Sequence, residues 1–155
     1  MQPICLPDPS EDYDNVKAVV TGWGKLKYGG SQPAIMREVT VRTQSTAECR
    51  AKQYEKDEIT ERMLCADARG RSTCQGDSGS PLVVALPGHS NYYRQVGVVN
   101  WAGEGCAEPG YPTVYARVTS FLPWIQQRMT PAVQGKSLIV IVSYKSAVSL
   151  LYATL

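Results

Sequence analysis

The stretch TCQGDSGSPLVV, residues 73–84, holds the residues best suited to chemistry. Ser78 lies between Gly76 and Gly79. A serine hydroxyl is a weak nucleophile at neutral pH and needs a base beside it. Glycines permit turns that a β-carbon forbids and let the backbone come close to a substrate. In such a turn the N–H groups of Gly76 and Ser78 can point at one spot, where the oxyanion of a tetrahedral intermediate would develop. The same residues also fit a plain polar glycine turn between two strands. A nucleophile elbow, the other serine-hydrolase pattern, needs G-x-S-x-G leading into a helix. Here its last position is Ser80 and the following PLVVAL is strand-like, so the elbow fails twice. The usual base is histidine. The chain has one, His89, eleven residues beyond Ser78 in LPGHSN, a polar loop between two strand-like runs.

The elements that must position Ser78 are short. Residues 15–25, NVKAVVTGWGK, form a β-branched run that ends in glycines, and YGGSQP at 28–33 is turn chemistry. Residues 35–43 alternate, with Val39 and Val41 on one face and Glu38, Thr40 and Arg42 on the other, as in a half-buried strand. A helix is predicted over 45–54, opened by Ser45 or Thr46 as N-cap. Further strands are predicted at 62–66, 81–86, 92–101 and 112–118. A closing amphipathic helix is predicted over 119–129, with Phe121, Trp124, Ile125 and Met129 on its apolar face and a proline in its first turn. Six short strands with turns between them and one closing helix predict an all-β fold, a small antiparallel barrel.

Composition narrows the function classes. The chain has 155 residues, room for one ordinary domain, and a net charge of +2, which gives no support for nucleic-acid binding. No metal-ligand cluster and no phosphate-binding loop is present, so no cofactor is expected. Five cysteines are many for a cytosolic chain and an odd number for a secreted one. MQPICLPDPS lacks the basic start and apolar run of a secretory leader.

Taken in order, PICLP, VTGWG, MLCA, CQGDSGSP, VNWAGEGCA, PTVYARV and FLPWI resemble the chymotrypsin-like serine proteases, the trypsin family, from residue 2 to about 129. The resemblance implies a secreted serine endopeptidase acting on polypeptides, the fold being the second of the family's two Greek-key barrels. It implies Ser78 as nucleophile, Gly76 and Ser78 as oxyanion donors, and Asp77 as the partner of an N-terminal ammonium released by activation. Asn100, Trp101 and Ala102 match the edge on which a substrate backbone is laid as a strand. This chain has Asn100 where serine is usual, and Ala102 and Ser80 where glycine is usual. The implied disulfides are Cys49–Cys65 and Cys74–Cys106. Cys5 is then left unpaired, at a position that in many members tethers the catalytic domain to a propeptide. A further common bridge would join the positions of Ala18 and Val84, where both cysteines are absent together.

In the family the base histidine and its aspartate lie on a first barrel, before the PICLP segment. His89 matches a surface loop instead, and none of the fourteen acidic residues matches the orienting aspartate. The expectation is therefore the C-terminal half of a protease domain, inactive alone, whose partner is an N-terminal barrel. The alternative is a non-catalytic module that keeps the substrate cleft. Ser72 stands where the base of the primary specificity pocket would be. A serine there carries no charge to select lysine or arginine, although Arg71 and Asp67 lie close in sequence. Ala102 and Thr113 stand where roomy pockets have glycine, so a small or medium aliphatic side chain is the expected preference. The domain is expected to end near residue 130. The apolar tail 131–155 is expected to lie outside it. Lys145 makes a membrane helix of that tail costly.

Overall fold

A computed structural model describes residues 4–55, 57–88, 92–103 and 105–129, together with the backbone of two later strands. Six strands close a barrel: β1 (Lys17–Gly22), β2 (Arg37–Gln44), β3 (Met63–Asp67), β4 (Pro81–Ala85), β5 (Tyr93–Trp101) and β6 (Thr113–Arg117). Their order around it is β1-β2-β3-β6-β5-β4, with β4 returning to β1, and every neighbour is antiparallel. This is the all-β Greek-key barrel with a short C-terminal helix that the sequence predicts.

Alternation sets the register. In β1, Ala18 and Val20 point inward; in β2, Val41 and Thr43 do so. With Leu64, Leu82, Val96, Val99 and Tyr115, the Ala18, Val20 and Val41 side chains form the barrel core. Each buried valine or leucine among them contributes about 1.5–3 kcal/mol. Gly97 lets β5 pass close over this core, since a β-carbon there would lie 3.1 Å from both Leu82 and the Tyr115 Cβ. Ala18 and Val84 lie one step along the ladder from the Val19–Val83 pair; Ala18 belongs to the core cluster and the partly buried Val84 packs against it. Apolar packing thus fills the place where the common bridge is absent.

The strand order has one consequence for chemistry. β3 neighbours β2 and β6, whereas β4 neighbours β1 and β5. The connection 68–80 must therefore cross an end of the barrel, and it carries the glycine turn. The Cys74–Cys106 disulfide ties this crossing to the segment after β5, and Cys49–Cys65 ties helix α1 (Thr46–Arg50) to β3.

Two helices differ from the sequence reading. Helix α1 is capped by Ser45, whose Oγ accepts the Glu48 N–H at 3.1 Å, but it stops at Arg50 rather than 54. The chain leaves because Gln53 N–H turns to Gly110 O and the Tyr54 hydroxyl to Pro112 O, burying the Tyr54 ring. The closing segment begins as a 3₁₀ turn, Val118–Phe121, before α2 (Leu122–Arg128). That turn shifts the helical phase, so Leu122 is the buried residue of α2, while Trp124 is 57% exposed under the Arg128 guanidinium. In the tail, β7 (Ile139–Tyr144) and β8 (Ala147–Tyr152) form a separate antiparallel pair. Among the described residues no helix is long and apolar enough to cross a membrane.

Candidate active site

The glycine turn is anchored from three sides. Gly76 and Gly79 have φ of 100° and 87°, a region closed to most side chains. Gly79 N–H donates to Val99 O at 2.8 Å and Val99 N–H donates to Ser80 O at 2.9 Å, locking the turn to β5. Asp77 N–H donates to Cys74 O and Ser80 N–H to Asp77 O, each at 2.9 Å. Across the crossing, Lys25 N–H donates to Gln75 O at 2.9 Å. The turn is thereby fixed before any ligand arrives.

Asp77 is the most tightly held side chain of the turn. Its Oδ1 accepts the Gly24 N–H at 2.7 Å and its Oδ2 accepts the Cys74 N–H at 2.9 Å. The carboxylate lies directly over Gly22 and Gly24. A β-carbon on Gly24 would be 2.3 Å from Asp77 Cγ, and one on Gly22 would be 2.0 Å from its Oδ1. The two glycines of VTGWG thus form a seat for Asp77, which sequence reasoning treated only as a strand end. The signal was available: glycines two apart on a strand share a face and mark the close approach of something else.

Ser78 is exposed, and its hydroxyl makes no hydrogen bond among the described residues. The N–H groups of Gly76 and Ser78 likewise have no acceptor among the described residues, so two donors remain unspent beside the hydroxyl. Ser78, Asn100, Trp101 and Ala102 share the lining of a cavity of about 160 Å³ with Thr73 and the Cys74–Cys106 bridge. Trp101 is braced by Tyr54, ring centroids 4.8 Å apart and edge-on, and Tyr54 in turn meets Tyr111 at 5.2 Å. Burial in this cluster pushes the Tyr54 phenol up to about 12, so it stays a neutral donor.

Ser72 and Thr113 both hydrogen-bond to Thr73 of this lining. The Ser72 hydroxyl donates to Thr73 O at 2.8 Å and accepts the Ala107 N–H at 2.6 Å, and Ser72 also lines a larger cleft that reaches Asp77. Thr113 is buried behind the cavity, its hydroxyl 2.9 Å from that of Thr73. Thr73, which sequence reasoning passed over, is the threonine that faces the cavity. Cys5 is free and half-buried. His89 lies outside the described residues. The strand ends that flank its loop, Ala85 and Tyr93, are paired with each other at the end of the β4–β5 ladder away from Pro81. Four residues of strand, about 13 Å, separate Ala85 from Pro81 and the turn before it.

The protein-family model for Trypsin matches residues 1–125, through the barrel and into α2. The chain belongs to the trypsin family. Trypsin-1 of Astacus astacus is 44% identical over 126 residues, which are 80% of this chain and 51% of that protein. The proclotting enzyme of Tachypleus tridentatus is 40% identical over 135 residues, 83% of this chain and 35% of that protein. Serine proteinase stubble of Drosophila melanogaster is 35% identical over 134 residues, 83% of this chain and 17% of that protein. The chain thus spans about half of the first of these relatives and less of the others. As a trypsin-family chain it carries the serine-protease turn and two disulfides on one closed barrel.

Proposed function

We propose that this trypsin-family chain supplies the nucleophile side of a serine endopeptidase site. The observation that carries this reading is the turn itself: an exposed Ser78 with two unspent N–H donors, Gly76 and Ser78, held rigid beside a small cavity. In the reaction, Ser78 Oγ attacks the scissile carbonyl carbon while a base takes its proton. The carbonyl oxygen becomes an oxyanion and is stabilised by the two donors. The base then protonates the leaving amine as the carbon–nitrogen bond breaks, leaving an acyl-serine for water to cleave. Removing one such donor costs about 10²–10³ in kcat in a comparable hydrolase, so the rigidity of the turn is part of the catalysis.

The base is the missing part. The described residues hold no histidine beside Ser78, and the loop of His89 leaves from the far end of β4. We therefore assign the base and its orienting carboxylate to a first barrel outside these 155 residues, and read the chain alone as inactive. Asp77, seated on the floor of the larger cleft, is the group that would meet an N-terminal ammonium. Cys5, free and half-buried, would link the chain to that other segment. The barrel with α2, to about residue 130, is the domain, and the tail stands outside it.

The substrate is a polypeptide laid along Asn100, Trp101 and Ala102, its side chain entering the cavity. The absence of an acidic group from that lining argues against lysine or arginine there. The narrow volume, bounded by Ala102 and Thr73 with Thr113 behind it, favours a small or medium aliphatic side chain. A methylene in such a pocket is worth about 1–3 kcal/mol, so the preference is graded. Two disulfides fit an oxidising, extracellular compartment. The test joins the chain in frame to the first-barrel half of a trypsin-family protease and follows hydrolysis of peptide esters varied at the cleaved residue. Alanine and valine esters should turn over fastest, and a Ser78→Ala partner should not turn over. Fastest cleavage after arginine would remove the specificity argument. Equal turnover by the Ser78→Ala protein would remove the nucleophile.

A further inference from the structure

The tail carries a second sheet that the protease reading does not use. β7 and β8 pair with each other, and among the described residues no barrel strand joins them, so both outer edges are open. Their sequences, IVIVSY and AVSLLY, hold no charged residue, no proline and no glycine. The ladder runs from Ile139 opposite Tyr152 to Tyr144 opposite Ala147 without a register shift. Charges, prolines and bulges are what usually keep a sheet edge from pairing with another chain. None of them interrupts these two strands.

Residues opposite one another share a face of a sheet. The register groups Ile139 and Ile141 with Tyr152 and Leu150 on one face, and Val140 with Leu151 on the other. Both faces are thus built from apolar positions, in a hairpin whose two strands are too few to be stable alone in water. A lipid bilayer does not complete it, since open sheet edges are not tolerated in hydrocarbon. A further strand does. β7 is the better edge, because Ile139, Val140, Ile141 and Val142 are β-branched and Tyr144 is aromatic, whereas β8 has only Val148 and Tyr152 of those types. The strand is also self-complementary. Laid antiparallel about a two-fold axis, two copies of β7 put isoleucine and valine opposite isoleucine and valine at their centres, the kind of pair that stabilises a sheet. Lys145 follows β7 directly. In the antiparallel pair the two copies of Lys145 fall about 20 Å or more apart along the strands, beyond the screening length of about 8 Å. In-register parallel stacking would set them about 5 Å apart, which disfavours an open-ended fibre. We infer that β7 is a self-association edge, through which two copies of this chain join into one four-stranded sheet, β8-β7-β7-β8, as a closed two-fold dimer.

The test is sedimentation equilibrium of the 155-residue chain at rising concentration. The mass should climb from 17.0 kDa to twice that value and stop there. The double variant Ile141→Lys, Val142→Lys sets like charges against each other across the two-fold and should weaken the dimer by at least about tenfold. Ile141→Val with Val142→Ile should keep it. Urea unfolding followed by tryptophan fluorescence should be the same for both variants, since the barrel lies outside the hairpin. A chain that stays monomeric would overturn the inference. A dimer that survives the lysine variant would do the same, because it would be held by the barrel instead. Growth into fibres that bind an amyloid dye would overturn the closed dimer. Flotation with phosphatidylcholine vesicles as a monomer would overturn the assignment to a second copy.

Discussion

Asp77 and the two glycines beneath it decide whether the Ser78 turn keeps its shape. Gly24→Ala would place a methyl carbon 2.3 Å from Asp77 Cγ, so either the carboxylate or the chain just beyond β1 must move. A loss of about 1–3 kcal/mol is expected in urea unfolding, the usual penalty of overpacking. Gly29 is the control, since a β-carbon there meets nothing within 4 Å and only its φ of 69° resists. Gly24→Ala no worse than Gly29→Ala would contradict the seat. A second residue-scale effect concerns acid. The Arg94 guanidinium beside Glu11 holds that carboxyl below its ordinary 4.5. A lowered folded value means stability that is present above the unfolded value and lost as pH falls through the folded one. Arg94→Met should therefore flatten the decline of stability below about pH 4.5. An unchanged acid limb would count against the pair. The glycine turn around Ser78 was legible in the sequence because glycines, aspartate and serine sit next to one another. The seat was not, because Gly24 and Asp77 meet only after the chain folds, 53 residues apart.

Among the elements, the crossing from β3 to β4 matters most. It is long because those strands are not neighbours, and the Cys74–Cys106 bridge ties it down with a sequence separation of 32. Replacing both cysteines by serine should cost about 3–4 kcal/mol if loop closure in the unfolded chain dominates. Calorimetry under non-reducing conditions measures it, and a loss under about 1 kcal/mol would mean that the turn is held by its hydrogen bonds alone. All six strands were legible, since each alternates or runs apolar between turn residues. The helices were less so. Tyr54 is pulled out of α1 by Pro112, and the 3₁₀ turn before α2 re-aims Trp124 outward. Both are tertiary effects that a period-3.6 pattern cannot contain. The same limit hid Thr73, on the β3–β4 crossing, whose partner Thr113 lies on β6.

For the molecule as a whole, the exposed apolar side chains point to a covered face. Trp23, Leu26, Tyr28, Ile35 and Met36 lie on one connection, and Trp124 is exposed on α2. Such groupings mark interaction surfaces in soluble proteins. The 155-residue chain should therefore bind a hydrophobic dye, and joining it to a first-barrel half should reduce that binding. A chain that is monomeric and cooperatively folded and does not bind dye would speak against a covered face. The central claim remains that Ser78 is a nucleophile completed by another segment, and covalent labelling with a fluorophosphonate, mapped by mass spectrometry, tests it most directly. Three proteins are compared: the chain alone, the chain joined to a first-barrel half, and the joined protein with Ser78→Ala. The joined protein should be labelled at Ser78, and the other two should not. Labelling of the isolated chain at a comparable rate, or an adduct that survives Ser78→Ala, would contradict it.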